Sequence, residues 1–192
     1  MRLPVVTLAL CLLPLLAGCP TSGDDDDAPP DVHAWYEGTS QATKPDGEPL
    51  GDASEVVLRR SVLPTVDHIE EQLVERAPGE DALEVIATLT VVPEDSTFRV
   101  SYQDIYGLLE GEGLLSGGAD WQWTTWESSV VYQTGERLGT TIHTTAELSD
   151  GVLVQDTEIV DGDGDLTVLS HTELQGITEQ VWQARYAEIV GG

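Results

Sequence analysis

Three carboxylates at alternating positions, Asp161, Asp163 and Asp165, stand in the glycine-rich stretch Asp161-Gly162-Asp163-Gly164-Asp165. Oxygen ligands at this spacing form the first half of a calcium loop. The second half is missing: an EF-hand loop needs glycine at its sixth position and an acid at its twelfth, where this chain has Leu166 and Thr172. The segment therefore offers a weak calcium site or a solvated hairpin turn, and no other cofactor is expected. Trp121, Trp123 and Trp126 place three of the five tryptophans close together. On a strand, Trp121 and Trp123 would share one face. Such rings stack on a sugar, line an apolar cavity, fill a core or plug the end of a barrel. Asp156 and Glu158 are the matching polar candidates, because two carboxylates on one strand face can bind a ligand or do acid-base chemistry if that face is enclosed.

Other combinations are less informative. Glu110 and Glu112 flank Gly111 as a second carboxylate pair, and alternating surface acids explain them equally well in so acidic a chain. His33, His68, His143 and His171 have no metal-ligand spacing, although His143 and His171 fall on neighbouring expected strands. No Gly-x-Ser-x-Gly elbow, Ser-x-x-Lys pair or phosphate loop occurs, and Lys44 is the only lysine. No catalytic residue is assigned.

The remaining chemistry belongs to cysteine. Arg2 precedes an apolar run from Leu3 to Ala17, interrupted by Pro4 and Pro14, which is too short to span a bilayer and reads as an export signal. It ends in Leu16-Ala17-Gly18-Cys19. This segment resembles a bacterial lipoprotein signal with its lipobox. The resemblance implies cleavage after Gly18, lipid on the thiol of Cys19, and a location in the cell envelope at the outer membrane, on its periplasmic face or at the cell surface. Two or more acyl chains anchor durably where one is marginal. Residues 1–18 are then signal, and residues 19–34 a lipidated, acidic tether containing Asp24 to Asp27 and Pro29-Pro30. Cys11 leaves with the signal and Cys19 carries lipid, so no thiol remains for a disulfide.

Thirty-five acidic against eight basic side chains give the 192 residues a formal net charge of -27. That field repels phosphate backbones and excludes nucleic acid as a sequence-independent partner. The expected partners are the membrane, through the anchor, and a small molecule; no protein partner is indicated.

Residues 35–192 must position whatever site exists, and their pattern is that of strands. Leu83, Val85, Ala87, Leu89 and Val91 alternate with polar residues, as do Phe98, Val100 and Tyr102, and then Leu138 through Leu148. Trp121 to Tyr132 also reads as strand, and Gln180 to Ile189 as the closing one. Thr65 to Arg76 fits either a helix or a strand. Asp150-Gly151 is a strong hairpin signal. A two-residue turn pairs Ser149 with Val152, a three-residue turn pairs Leu148 with Val152, and the choice decides whether Asp156 and Glu158 face inward. The fold class is all-β, a single antiparallel meander barrel of about 8–10 strands, with a β-sandwich as the competitor. The meander, Trp35 near its start and Arg185 near its end resemble the calycin group of barrels. That resemblance implies a ligand-holding interior and an arginine packed over the tryptophan. Two functions follow: a non-enzymatic, lipid-anchored protein whose barrel binds a small apolar or sugar-like ligand or acts as an interaction module, and a hydrolytic or isomerising barrel using interior carboxylates.

Overall fold

Alternation of apolar and polar residues between short turns produces ten strands: β1 (Val32–Thr43), β2 (Ser54–Leu63), β3 (His68–Arg76), β4 (Leu83–Val92), β5 (Thr97–Asp104), β6 (Gly107–Ser116), β7 (Thr125–Tyr132), β8 (Thr141–Ser149), β9 (Val152–Val160) and β10 (Leu166–Ile177). A helix, α1 (Glu179–Gly191), ends the chain. The computed structural model describes residues 29–118 and 121–191; the export signal and Cys19 lie outside the described residues. Each strand pairs antiparallel with the next, and β1 pairs with β10, so the meander closes into a barrel. Closure leaves no unpaired edge. The sandwich alternative is thereby replaced by the barrel.

Turn chemistry sets the register. Asp150 (φ 52) and Gly151 (φ 79) both adopt left-handed backbone, the requirement of a type I′ turn, and pair Ser149 with Val152. The β2–β3 and β4–β5 connections repeat one device. Pro64 and Pro93 each open a single 3-10 turn, closed by left-handed Asp67 and Ser96, whose N–H groups donate to the proline carbonyls. Thr65 to Arg76 is therefore a turn followed by a strand. On β6, Gly113 lies opposite Phe98, and a Cβ there would meet the Phe98 ring at 2.3 Å. The aromatic ring occupies the space the glycine leaves.

Inside the barrel, Val56, Leu58, Ile69, Leu89, Phe98, Leu109, Trp126, Tyr132, Leu153 and Leu174 form the buried core. A second, smaller core lies outside the wall. There Trp182 and Ile189 of α1 cover Val57 and Val74, with Trp35 and Tyr186 packed alongside. Trp182, Tyr186 and Ile189 fall on one helical face at i, i+4 and i+7. The closing strand expected over Gln180 to Ile189 is thus a helix. Its C-terminal carbonyls accept hydrogen bonds from Arg76, which reaches Glu188 O at 3.2 Å and Ile189 O at 3.1 Å. A cation at the negative end of a helix is favourable. Arg185 sits on this helix and donates to Glu37 (3.2 Å), Glu55 (3.4 Å) and Glu188 (2.5 Å). The expected packing of Arg185 over Trp35 is replaced by this carboxylate cluster, while Arg59 lies 5.9 Å from the Trp182 ring centroid.

Candidate functional site

The two-residue turn at Asp150-Gly151 puts Leu153, Gln155 and Thr157 inside and turns Asp156 and Glu158 out. Asp156 is 64% exposed and binds His171 Nδ1 at 2.7 Å on the outer face. Glu158 is also exposed, opposite His143. The expectation that these carboxylates line an interior ligand wall is corrected by this register, and the enzyme alternative built on them loses its basis. Trp121 and Trp123 are not on a strand either. β7 begins at Thr125, and Trp121 has a left-handed backbone (φ 68). Their rings meet edge to face at 5.3 Å and pack against the interior core at the end of the barrel, as a plug. Neither lines the interior cavity described below.

At the Asp161 turn the carboxylate serves its own backbone. Asp161 Oδ1 accepts the N–H groups of Asp163 and Asp165, both at 3.0 Å. Among the described residues no group of three or more His, Cys, Asp or Glu side chains is arranged to hold a metal ion. Glu110 and Glu112 are exposed on the outer face of β6. Ser129, His143 and Glu158 stand opposite one another across β7, β8 and β9, in the order of a nucleophile, base and acid. No hydrogen bond among the described residues joins them, so they lack the contact such catalysis requires. An open depression of about 600 Å³ lies beside them, lined by Arg99, Glu112, Glu127 and His143 among others.

A further cavity of about 300 Å³ lies inside the barrel and is partly open to solvent. It runs from Leu89, Phe98 and Trp126 to Glu75, Leu83 and Asp104, at the strand ends remote from the tryptophan plug. Leu73, Leu83 and Val85 point inward yet remain half-buried, whereas Leu89, Phe98 and Trp126 are buried. Solvent therefore enters from the Glu75 end. One wall, from β4 and β5, is apolar and aromatic; the other, from β7 to β9, carries Ser128, Thr144, Gln155 and Thr157. On that wall Thr144 and Thr157 pair at 3.3 Å; on neighbouring β1 and β10, outside the cavity lining, Ser40 pairs with Ser170 at 3.0 Å and accepts from Thr172 at 2.9 Å.

Charge lies within this interior. Val56, Leu58, Arg60 and Val62 share the inward phase of β2, and Ile69, Glu71, Leu73 and Glu75 that of β3. Arg60 Nε lies 3.4 Å from Glu71 Oε1, with side-chain exposures of 9% and 19%. The guanidinium stands 3.8 Å over the Trp126 ring centroid. A desolvated cation–π contact of this kind contributes about 2 kcal/mol. Arg60 Nε and Glu71 Oε1 nevertheless have no hydrogen-bond partner. Asp104 accepts N–H groups from Tyr106 and Gly107 and the hydroxyl of Tyr132 at 2.5 Å. Burial, with Asp104 and then Glu71 adding to it, pushes the Tyr102 phenol up to about 12. Burial also raises Tyr132, reinforced by its hydrogen bond to Asp104.

The inward charges were missed by reading carboxylates in close pairs. Their signal was phase: Arg60, Glu71 and Glu75 each occupy an apolar-phase position of an alternating strand. No family model, curated protein or solved structure matches this chain.

Proposed function

We propose that this protein is a lipid-anchored envelope protein whose calycin-like barrel binds a small ligand without chemical transformation. The observation that carries the binding reading is the cavity itself, set among inward-facing side chains of the barrel and reached by solvent from the Glu75 end. Its volume suits a molecule of about ten to fifteen heavy atoms, given that ligand pockets span about 300–1,000 Å³. An aromatic wall facing a hydroxyl wall suits an amphipathic occupant better than a purely apolar one. The anchoring reading rests on Leu16-Ala17-Gly18-Cys19 alone.

Binding is tested with the neutral, polarity-sensitive fluorophore 1-naphthylamine. Its emission should rise on addition of the full chain and fall in Val100→Trp, where an indole fills the cavity. Equal enhancement by both proteins would place the probe elsewhere and defeat the reading, leaving an interaction module as the better account. Anchoring is tested by Cys19→Ser, which should abolish fatty-acid labelling and release the protein from membranes; persistent labelling would refute it.

A further inference from the structure

The barrel interior is electrically unbalanced. Three carboxylates, Glu71, Glu75 and Asp104, line the cavity, and Arg60 is the one inward-facing cation among the described residues. Arg60 is already committed to Glu71 and to the Trp126 face. Of the other cations at this end, Arg137 is held 3.7 Å over the Tyr106 ring and Arg76 donates to Glu55 and to the carbonyls of Glu188 and Ile189. Glu75 forms no hydrogen bond or ion pair among the described residues. Asp104 accepts only from neutral donors, a tyrosine hydroxyl and two backbone N–H groups. Carboxylates in a cavity of lowered dielectric attract a cation far more strongly than the same groups in water.

We propose that the cavity selects a small organic cation, an amine carried on an apolar or aromatic body, with its ammonium at Glu75 and its body directed inward toward Tyr102. This rests on the reading of the cavity as a ligand site. Glu75 carries the recognition: it stands on the inward phase of β3, half-buried at the open end of the cavity, whereas Glu71 is already paired with Arg60 at 3.4 Å. An ammonium N–H supplies a donor to Glu75, and a carboxylate ligand would add an acceptor where one already lacks its partner. Aromatic rings beside the carboxylates favour the cation again.

Calorimetric titration of the full chain with 2-phenylethylamine, 2-phenylethanol and 3-phenylpropanoate separates the possibilities, since the three share one body and differ in charge. The amine should bind at least tenfold more tightly than the alcohol, with the carboxylate weakest. Glu75→Gln, at the half-exposed end of the cavity, should narrow the amine-to-alcohol ratio severalfold. Equal binding of amine and alcohol overturns the cation inference and leaves the ligand reading standing. Tightest binding by the carboxylate overturns it in favour of an anion held by Arg60. Binding of none of the three overturns both.

Discussion

Arg60 and Glu71 stand in the barrel where apolar residues would pack with less desolvation, and neither has full hydrogen-bond satisfaction. A buried pair of this kind is weak as a source of stability but costly to break, because the surviving partner is left as an uncompensated buried charge. Arg60→Met should therefore cost about 3–5 kcal/mol in urea unfolding. Arg60→Met combined with Glu71→Leu should recover most of that loss. If the single variant is as stable as the parent, the pair is not desolvated in the folded protein. These residues were legible in the sequence only by phase. Val56, Leu58 and Val62 mark the inward side of β2, and Arg60 shares it, yet a lone arginine beside Arg59 carries no motif. Asp156 and Glu158 show the opposite case: an attractive pair that a one-residue choice of turn geometry sends to the surface.

At the scale of the element, alternation worked where one strand face meets solvent and failed where both faces are covered. Leu83 to Val91 and Phe98 to Tyr102 show clean period two and form β4 and β5. Val56, Val57 and Leu58 are all buried, because α1 covers the outer face of β2, and alternation vanishes there. The helix was concealed in its own sequence: Trp182, Ala184 and Tyr186 alternate with Gln183 and Arg185 as a strand would, and only Trp182, Tyr186 and Ile189 together reveal the helical period. Because α1 packs outside the barrel, its contribution to stability and the cavity's binding should separate. Trp182→Ala should cost about 3–5 kcal/mol in thermal or urea unfolding while leaving the affinity for 2-phenylethanol unchanged at temperatures where the protein is folded. Loss of binding in the folded variant would mean that the helix shapes the cavity.

For the whole molecule, the antiparallel meander of about 8–10 strands followed from turn spacing and its barrel form was preferred to a sandwich, while the closing partner, β10 in place of Gln180 to Ile189, and the cavity did not. Whether a ten-stranded barrel is filled or hollow depends on which side chains meet across it, and a one-dimensional pattern does not display that: the Phe98 ring fills the space at Gly113, while Ser128 and Thr144 line the cavity. Acidity, first a reason to exclude nucleic acid, extends into the interior, where three carboxylates face one guanidinium. On the proposed reading the barrel is a container with one end plugged by Trp121 and Trp123, the other open to solvent, and an acidic lining. The most direct measurement of that claim is a methyl NMR titration of the full chain with 2-phenylethylamine. Shifts confined to the inward methyls of Leu73, Val85, Val100, Val130 and Ile142 are the expected result. Shifts centred instead on outward residues such as Val66, Ile86 or Leu138, or no shifts at all, would contradict it.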